Sequence, residues 1–197
     1  MASKSPASDR TIYQLKGTLR EVKPPVWRRI QLPGSIHLDN LHLIIQTAMG
    51  WRNCHLHQFV INNQTFAEPD LDFDDVLLHS EDEFTLRQLL RRAGSRFLYE
   101  YDFGDGWIHN VVIEKIVAPE PDTEYPVCLS GKRACPPEDV GGVYGYEAFL
   151  EALADPDHEE HENYLEWVGG EFDPEAFDID EINGLLADYE QMDSRNW

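Results

Sequence analysis

The chain has 197 residues and sets 37 acidic against 16 basic side chains, a formal net charge of −21, with 42% of its residues apolar and 11% aromatic. That much apolar and aromatic area can bury a core and excludes a disordered chain, while the charge argues against direct nucleic-acid binding, which draws on a basic footprint on the phosphates. The longest apolar runs are a few residues, such as Leu43 to Ile45, far below the ~20 that cross a bilayer.

Met1 to Arg10 contain no apolar stretch of the kind a signal peptide needs and read as a disordered tail, which predicts a cytoplasmic protein. In that reducing compartment Cys54, Cys128 and Cys135 are expected to be thiols or metal ligands. Thr11 to Val22 reads as a strand, Pro24-Pro25 as a turn, and Val26 to Leu32 as the returning strand. Asp39 is placed to cap a helix over Asn40 to Met49, where Leu41, Ile44, Ile45 and Ala48 share one face and Gly50 ends it. His55 to Phe66 alternates as a strand turned or bulged at Asn62-Asn63, with Leu56, Gln58 and Val60 on one side and His57, Phe59 and Ile61 on the other. After an acidic loop over Asp70 to Glu83, Thr85 caps a helix predicted to run through Arg92 and stop at Gly94. Arg96 to Tyr101 and Trp107 to Val117 form the clearest strand pair, joined through Asp105-Gly106, a tight-turn dipeptide.

The order ββαβαββ predicts an α+β fold: a mostly antiparallel or mixed sheet with a β-grasp-like start and helices on one face. From Ala118 the composition turns Pro-rich and acidic. Residues 1–117 hold 15 acids and 13 bases, residues 118–197 hold 22 acids and 3 bases. The expected organisation is therefore one domain over residues 11–197, with a sheet part at 11–117 and an acidic loop-plus-helix lobe at 118–197. Tyr125 to Gly142 reads as an ordered loop, because Pro136-Pro137 and Gly141-Gly142 bar regular structure. Helices are predicted at Tyr146 to Ala154, Asp157 to Val168, and from about Asp180 to Gln191. The lobe's charge favours cations or a basic protein as partner, and solubility alone also accounts for it.

Three constellations carry candidate chemistry. His55, His57, His109, Cys128 and Cys135, with Cys54 nearby, are the side chains zinc prefers; His55 and His57 would point the same way from an extended segment, but no diagnostic ligand spacing is present. The hairpin tip gathers Asp102, Asp105, Trp107 and His109, which fits acid–base chemistry or, more simply, turn-forming Asp and Gly whose carboxylates bond exposed amides. Arg133 precedes Glu138 and Asp139, a pattern for an internal ion pair tying the acidic lobe to the sheet, or for capture of an anion. Weaker patterns are Asp70, Asp72, Asp74 and Glu81 at calcium-loop spacing without the required glycine, and the acidic helix segment Asp157 to His161.

Tyr99-Glu-Tyr-Asp-Phe-Gly-Asp-Gly-Trp-Ile-His109, the segment from Tyr125 to Gly142, and Gly145-Tyr146 together resemble the plasmid pRiA4b ORF-three-like family. Pro24 to Arg29, Trp51 to Phe59 and Trp167 to Phe177 fit it as well, so the resemblance covers about Ile12 to Tyr189. It implies a compact α+β domain and carries over no biochemical activity. Some members are labelled insertion-element passenger or resolvase-like (TnpR-like) proteins, but these residues contain neither a basic DNA-binding helix nor a serine-recombinase arrangement. The expected function is a non-catalytic binding or protein-interaction module, with a zinc-type hydrolase using the His/Asp/Cys cluster as the alternative.

Overall fold

A computed structural model of the protein describes residues 11–68 and 78–189. Eight strands form one mixed sheet in the order β5-β4-β3-β6-β7-β1-β2-β8. β1 (Ile12–Leu19) and β2 (Trp27–Pro33) make the opening hairpin. Period-two alternation decides what each strand buries. Tyr13, Leu15 and Leu19 of β1 enter the core, while the opposite face carries Gln14, bonded to Glu114, which in turn holds Arg29 in a two-pronged ion pair.

α1 (Leu38–Met49) lies against the buried face, with Leu38, Leu41, Ile44 and Ala48 essentially inaccessible. It starts two residues before the expected position: His37 is the cap residue, and Asp39 sits inside the first turn, where its charge complements the helix dipole. Gly50 ends it in the left-handed region, as expected. The strand expected over His55 to Phe66 is a hairpin, β3 (His57–Ile61) and β4 (Gln64–Ala67). Asn62 and Asn63 both take positive φ, the pair of conformations a two-residue hairpin turn demands. β5 (Leu78–Ser80) adds to β4 in the one parallel pairing among the described residues.

A 3-10 turn over Glu81–Glu83 leads to α2 (Leu86–Leu89), a single turn begun by a Thr85–Gln88 capping box. It ends before Arg92 because Leu90 is extended and buried in the core. β6 (Arg96–Tyr101) and β7 (Trp107–Val117) form the expected antiparallel pair, with Tyr101 opposite Trp107, so the five residues Asp102–Gly106 make the tip rather than Asp105-Gly106 alone.

One correction concerns the acidic half. Tyr125 to Gly142 is not wholly loop: β8 (Val127–Lys132) pairs with the open side of β2 and extends the sheet. The helices are α3 (Gly142–Ala154), α4 (His161–Val168) and α5 (Ile179–Leu186). Cys128, Val140, Tyr146, Phe149 and Leu186 join the same buried cluster as α1 and the central strands. The Asn183 side chain of α5 accepts from Cys128 N at 2.7 Å and donates to Cys128 O at 3.1 Å, satisfying the exposed edge of β8 as a neighbouring strand would. Arg133 is buried, pairs with Glu175 at 2.8 Å and donates to Pro24 O at 3.0 Å. Among the described residues no helix is long and apolar enough to cross a membrane.

Candidate functional site

Three pieces of chain converge at one end of the central strands: the bend before β3, the β6–β7 tip, and the loop between β8 and α3. Asp102 leaves β6 with φ 56°, and its Oδ1 accepts Gly104 N at 2.9 Å and Asp105 N at 3.3 Å. One oxygen thus forms the turn, and the other, Oδ2, faces His55 Nε2 at 3.6 Å.

The β8–α3 loop is fastened across both the bend and the hairpin tip. Trp51 Nε1 donates to Pro136 O at 2.9 Å, and Asp105 Oδ2 accepts Gly141 N at 3.1 Å. Gly142, at φ 68°, sits so close that a Cβ there would lie 2.5 Å from Asp105 O. Glu138 Oε1 accepts Arg52 N at 2.8 Å and the Tyr101 hydroxyl at 3.1 Å; Oε2 is 3.3 Å from the same hydroxyl and 3.9 Å from His55 Nε2. Asp139, at φ 59°, brings Oδ1 to 3.1 Å from the same nitrogen. His55 Nε2 is buried among these three carboxylates and makes a hydrogen bond of proper geometry to none of them.

Two overlapping donor groups result, His55 with Asp102 and Asp139, and His55 with Cys54 and Glu138; in each, the donor atoms lie within 4.8 Å of one another. One imidazole nitrogen and several carboxylate oxygens suit a divalent cation. The backbone anchors hold the acidic ligands as outer-shell partners do in metal sites. The Cys54 thiol lies 3.8 Å from the Tyr101 hydroxyl, and burial pushes its pKa up. Burial likewise raises the Tyr101 hydroxyl, and the Glu138 charge adds to the effect.

The other expected ligands lie elsewhere, and strand alternation explains two of them. His57 points into the core with Phe59 and Ile61, stacks on His42 at 3.4 Å between ring centroids, and bonds Glu81 at 2.9 Å. Burial lowers His57 to about 3 and raises Glu81 to about 8. His55 and His57 diverge because His55 belongs to the bend before β3. His109 is buried against Trp51 and Tyr99 with neither ring nitrogen hydrogen-bonded, and burial takes it to about 4. Trp107 is fully buried near Trp51. Cys128 packs in the core and Cys135 against it, both near Arg28 and with both thiols raised by burial, and neither belongs to a donor group. His161 bonds Ala152 O, Glu81 is occupied by His57, and Asp70, Asp72 and Asp74 lie outside the described residues.

Sequence reasoning missed the Arg52 amide and the Tyr101 hydroxyl as anchors of Glu138. The Glu138 contacts span 86 and 37 residues and leave no local pattern to read.

The chain is 41% identical over 179 residues to the uncharacterized protein y4hQ of Sinorhizobium fredii, covering 90% of this chain and 92% of that one. The crystal structure of MM3350, a protein of unknown function from Methanosarcina mazei Go1, is 39% identical and superposes with a TM-score of 0.79, covering 87% of this chain and 96% of that one. Residues 11–181 match the family described as Plasmid pRiA4b ORF-3-like protein, to which this chain therefore belongs.

Proposed function

We propose that the protein is a metal-binding module whose divalent cation is held by His55, Asp102, Glu138 and Asp139 at the junction of the hairpin tip and the β8–α3 loop. The observation that carries this reading is the buried, unbonded His55 Nε2 with three carboxylate oxygens 3.1–3.9 Å away. A cation satisfies the nitrogen and offsets the mutual repulsion of the carboxylates together. The Asp139 side chain is 69% exposed, so that flank meets solvent. A water bound there would be positioned for activation by the metal, the zinc-hydrolase arrangement. Elemental analysis of purified full-length protein, followed by equilibrium dialysis of the stripped protein against Zn²⁺ and Mn²⁺, tests the proposal. One equivalent of bound metal, lost in His55→Ala, is the expected result; absence of binding in the wild type refutes it.

A second reading, a protein-interaction module with a basic partner, is favoured by the exposed Tyr144, Trp167 and Leu185 within the strongly acidic half. It predicts salt-sensitive binding of a lysine-rich polypeptide that weakens in Trp167→Ala. Binding that is indifferent to this substitution would be charge attraction alone and would contradict the reading.

A further inference from the structure

Resting on the metal-site reading above, we infer that Cys54 is a thiolate ligand of the same ion, and that it makes the site selective for a thiophilic transition ion such as zinc over Mg²⁺, Ca²⁺ or Mn²⁺. Cys54 is the one sulfur donor in either group, and its Sγ lies within 4.8 Å of both the His55 donor nitrogen and the Glu138 oxygen.

The backbone here is fixed in a way that sends two successive side chains toward one point. Asn53 has φ 55°; its N–H donates to Gln46 Oε1 at 3.1 Å, and its Oδ1 is 2.6 Å from His42 Nε2. The Cys54 N–H donates to the Tyr101 hydroxyl at 3.0 Å, and that hydroxyl donates in turn to Glu138. Tyr101 therefore braces the thiol-bearing segment and a carboxylate ligand at once. The other two cysteines lie elsewhere: Cys128 is buried in the core, Cys135 packs against it, and neither belongs to a donor group.

Ligand chemistry then decides the ion. Carboxylates alone suit Mg²⁺, Ca²⁺ and Mn²⁺, whereas a thiolate beside an imidazole suits zinc and its close analogue Co²⁺. On binding, the thiol gives its proton to solvent and sulfur bonds the ion, with no change in oxidation state.

The test is titration of stripped, reduced full-length protein with Co²⁺, read by absorption. The wild type should show visible ligand-field bands together with a near-ultraviolet thiolate-to-cobalt charge-transfer band. Cys54→Ser should keep the ligand-field bands and lose the charge-transfer band, and its Zn²⁺ affinity should fall by about tenfold or more while Mn²⁺ affinity holds. Ligand-field bands without charge transfer in the wild type would overturn the role of Cys54 and leave the site standing. A charge-transfer band that persists in Cys54→Ser would assign the sulfur to another cysteine and overturn it as well. No cobalt uptake by the wild type would remove the site itself.

Discussion

Replacing Gly142 by alanine probes the docking that assembles the site. At φ 68° an L-residue bears a strain of about 1–2 kcal/mol. The added Cβ would also lie 2.5 Å from Asp105 O, a backbone atom that cannot rotate aside. Asp105 is held on both sides, through its amide to Asp102 Oδ1 and through its carboxylate to Gly141 N. Relief therefore requires the β8–α3 loop to lift from the hairpin tip, and strain plus overpacking brings the expected loss to about 3–4 kcal/mol. Gly184→Ala is the matched control, since Gly184 lies in α5 with nothing within 4 Å of a built Cβ and no positive φ. The same added methyl should there stabilise by about 0.5–1 kcal/mol through helix propensity. Urea unfolding read by tryptophan fluorescence gives both values. A Gly142→Ala loss below about 1 kcal/mol, or equal effects of the two substitutions, would refute the tight approach.

Other expectations concern charge. Glu81, raised to about 8 in the fold, contributes stability that is complete below its ordinary 4.5 and is lost as pH rises through 8. Glu81→Gln, which mimics the protonated acid, should therefore stabilise by about 4 kcal/mol at pH 8 and by little at pH 4.5, and an unchanged difference across that range in thermal melts would contradict it. Glu114 runs the other way: the hydrogen bond from Arg29 lowers it to about 2, so its contribution is present above 4.5 and fades as pH falls toward 2. Glu114→Gln should cost about 1 kcal/mol at neutral pH, reduced by the partial exposure of the pair, with the loss vanishing in acid denaturation at pH 2. Duplex DNA should migrate unshifted with excess protein at low salt, given the net charge of −21; a retarded band would overturn that expectation.

Much of the scaffold was legible because it rests on local rules. The β6–β7 hairpin has two clean strands around Asp105-Gly106, and α1 has a helical apolar stripe with Gly50 after it. Period-two alternation already placed His57 beside Phe59 and Ile61, which is why it serves the core rather than the site. β8 was hidden: Val127 to Lys132 is short, is flanked by Pro126 and contains Gly131, and becomes a strand through pairing with β2, a tertiary effect. Of the site, the Asp102 to His109 and Cys128 to Gly142 segments were recognisable as the place to look. The convergence of Glu138 on His55 was not, because Glu138 is held by the Arg52 amide and the Tyr101 hydroxyl, contacts between distant residues that form only on folding.

Thermal unfolding of the full-length protein with added Zn²⁺ tests the central claim most directly, since an ion bound only by the folded state stabilises it by mass action. At about 100 times the dissociation constant the gain is about 2.7 kcal/mol, or about 5–10 °C in Tm for a chain of this size. The wild type should show that rise, and His55→Ala, folded by circular dichroism, should show none. A wild-type Tm indifferent to metal, or an equal rise in His55→Ala, would contradict a cation site built on His55, Asp102, Glu138 and Asp139.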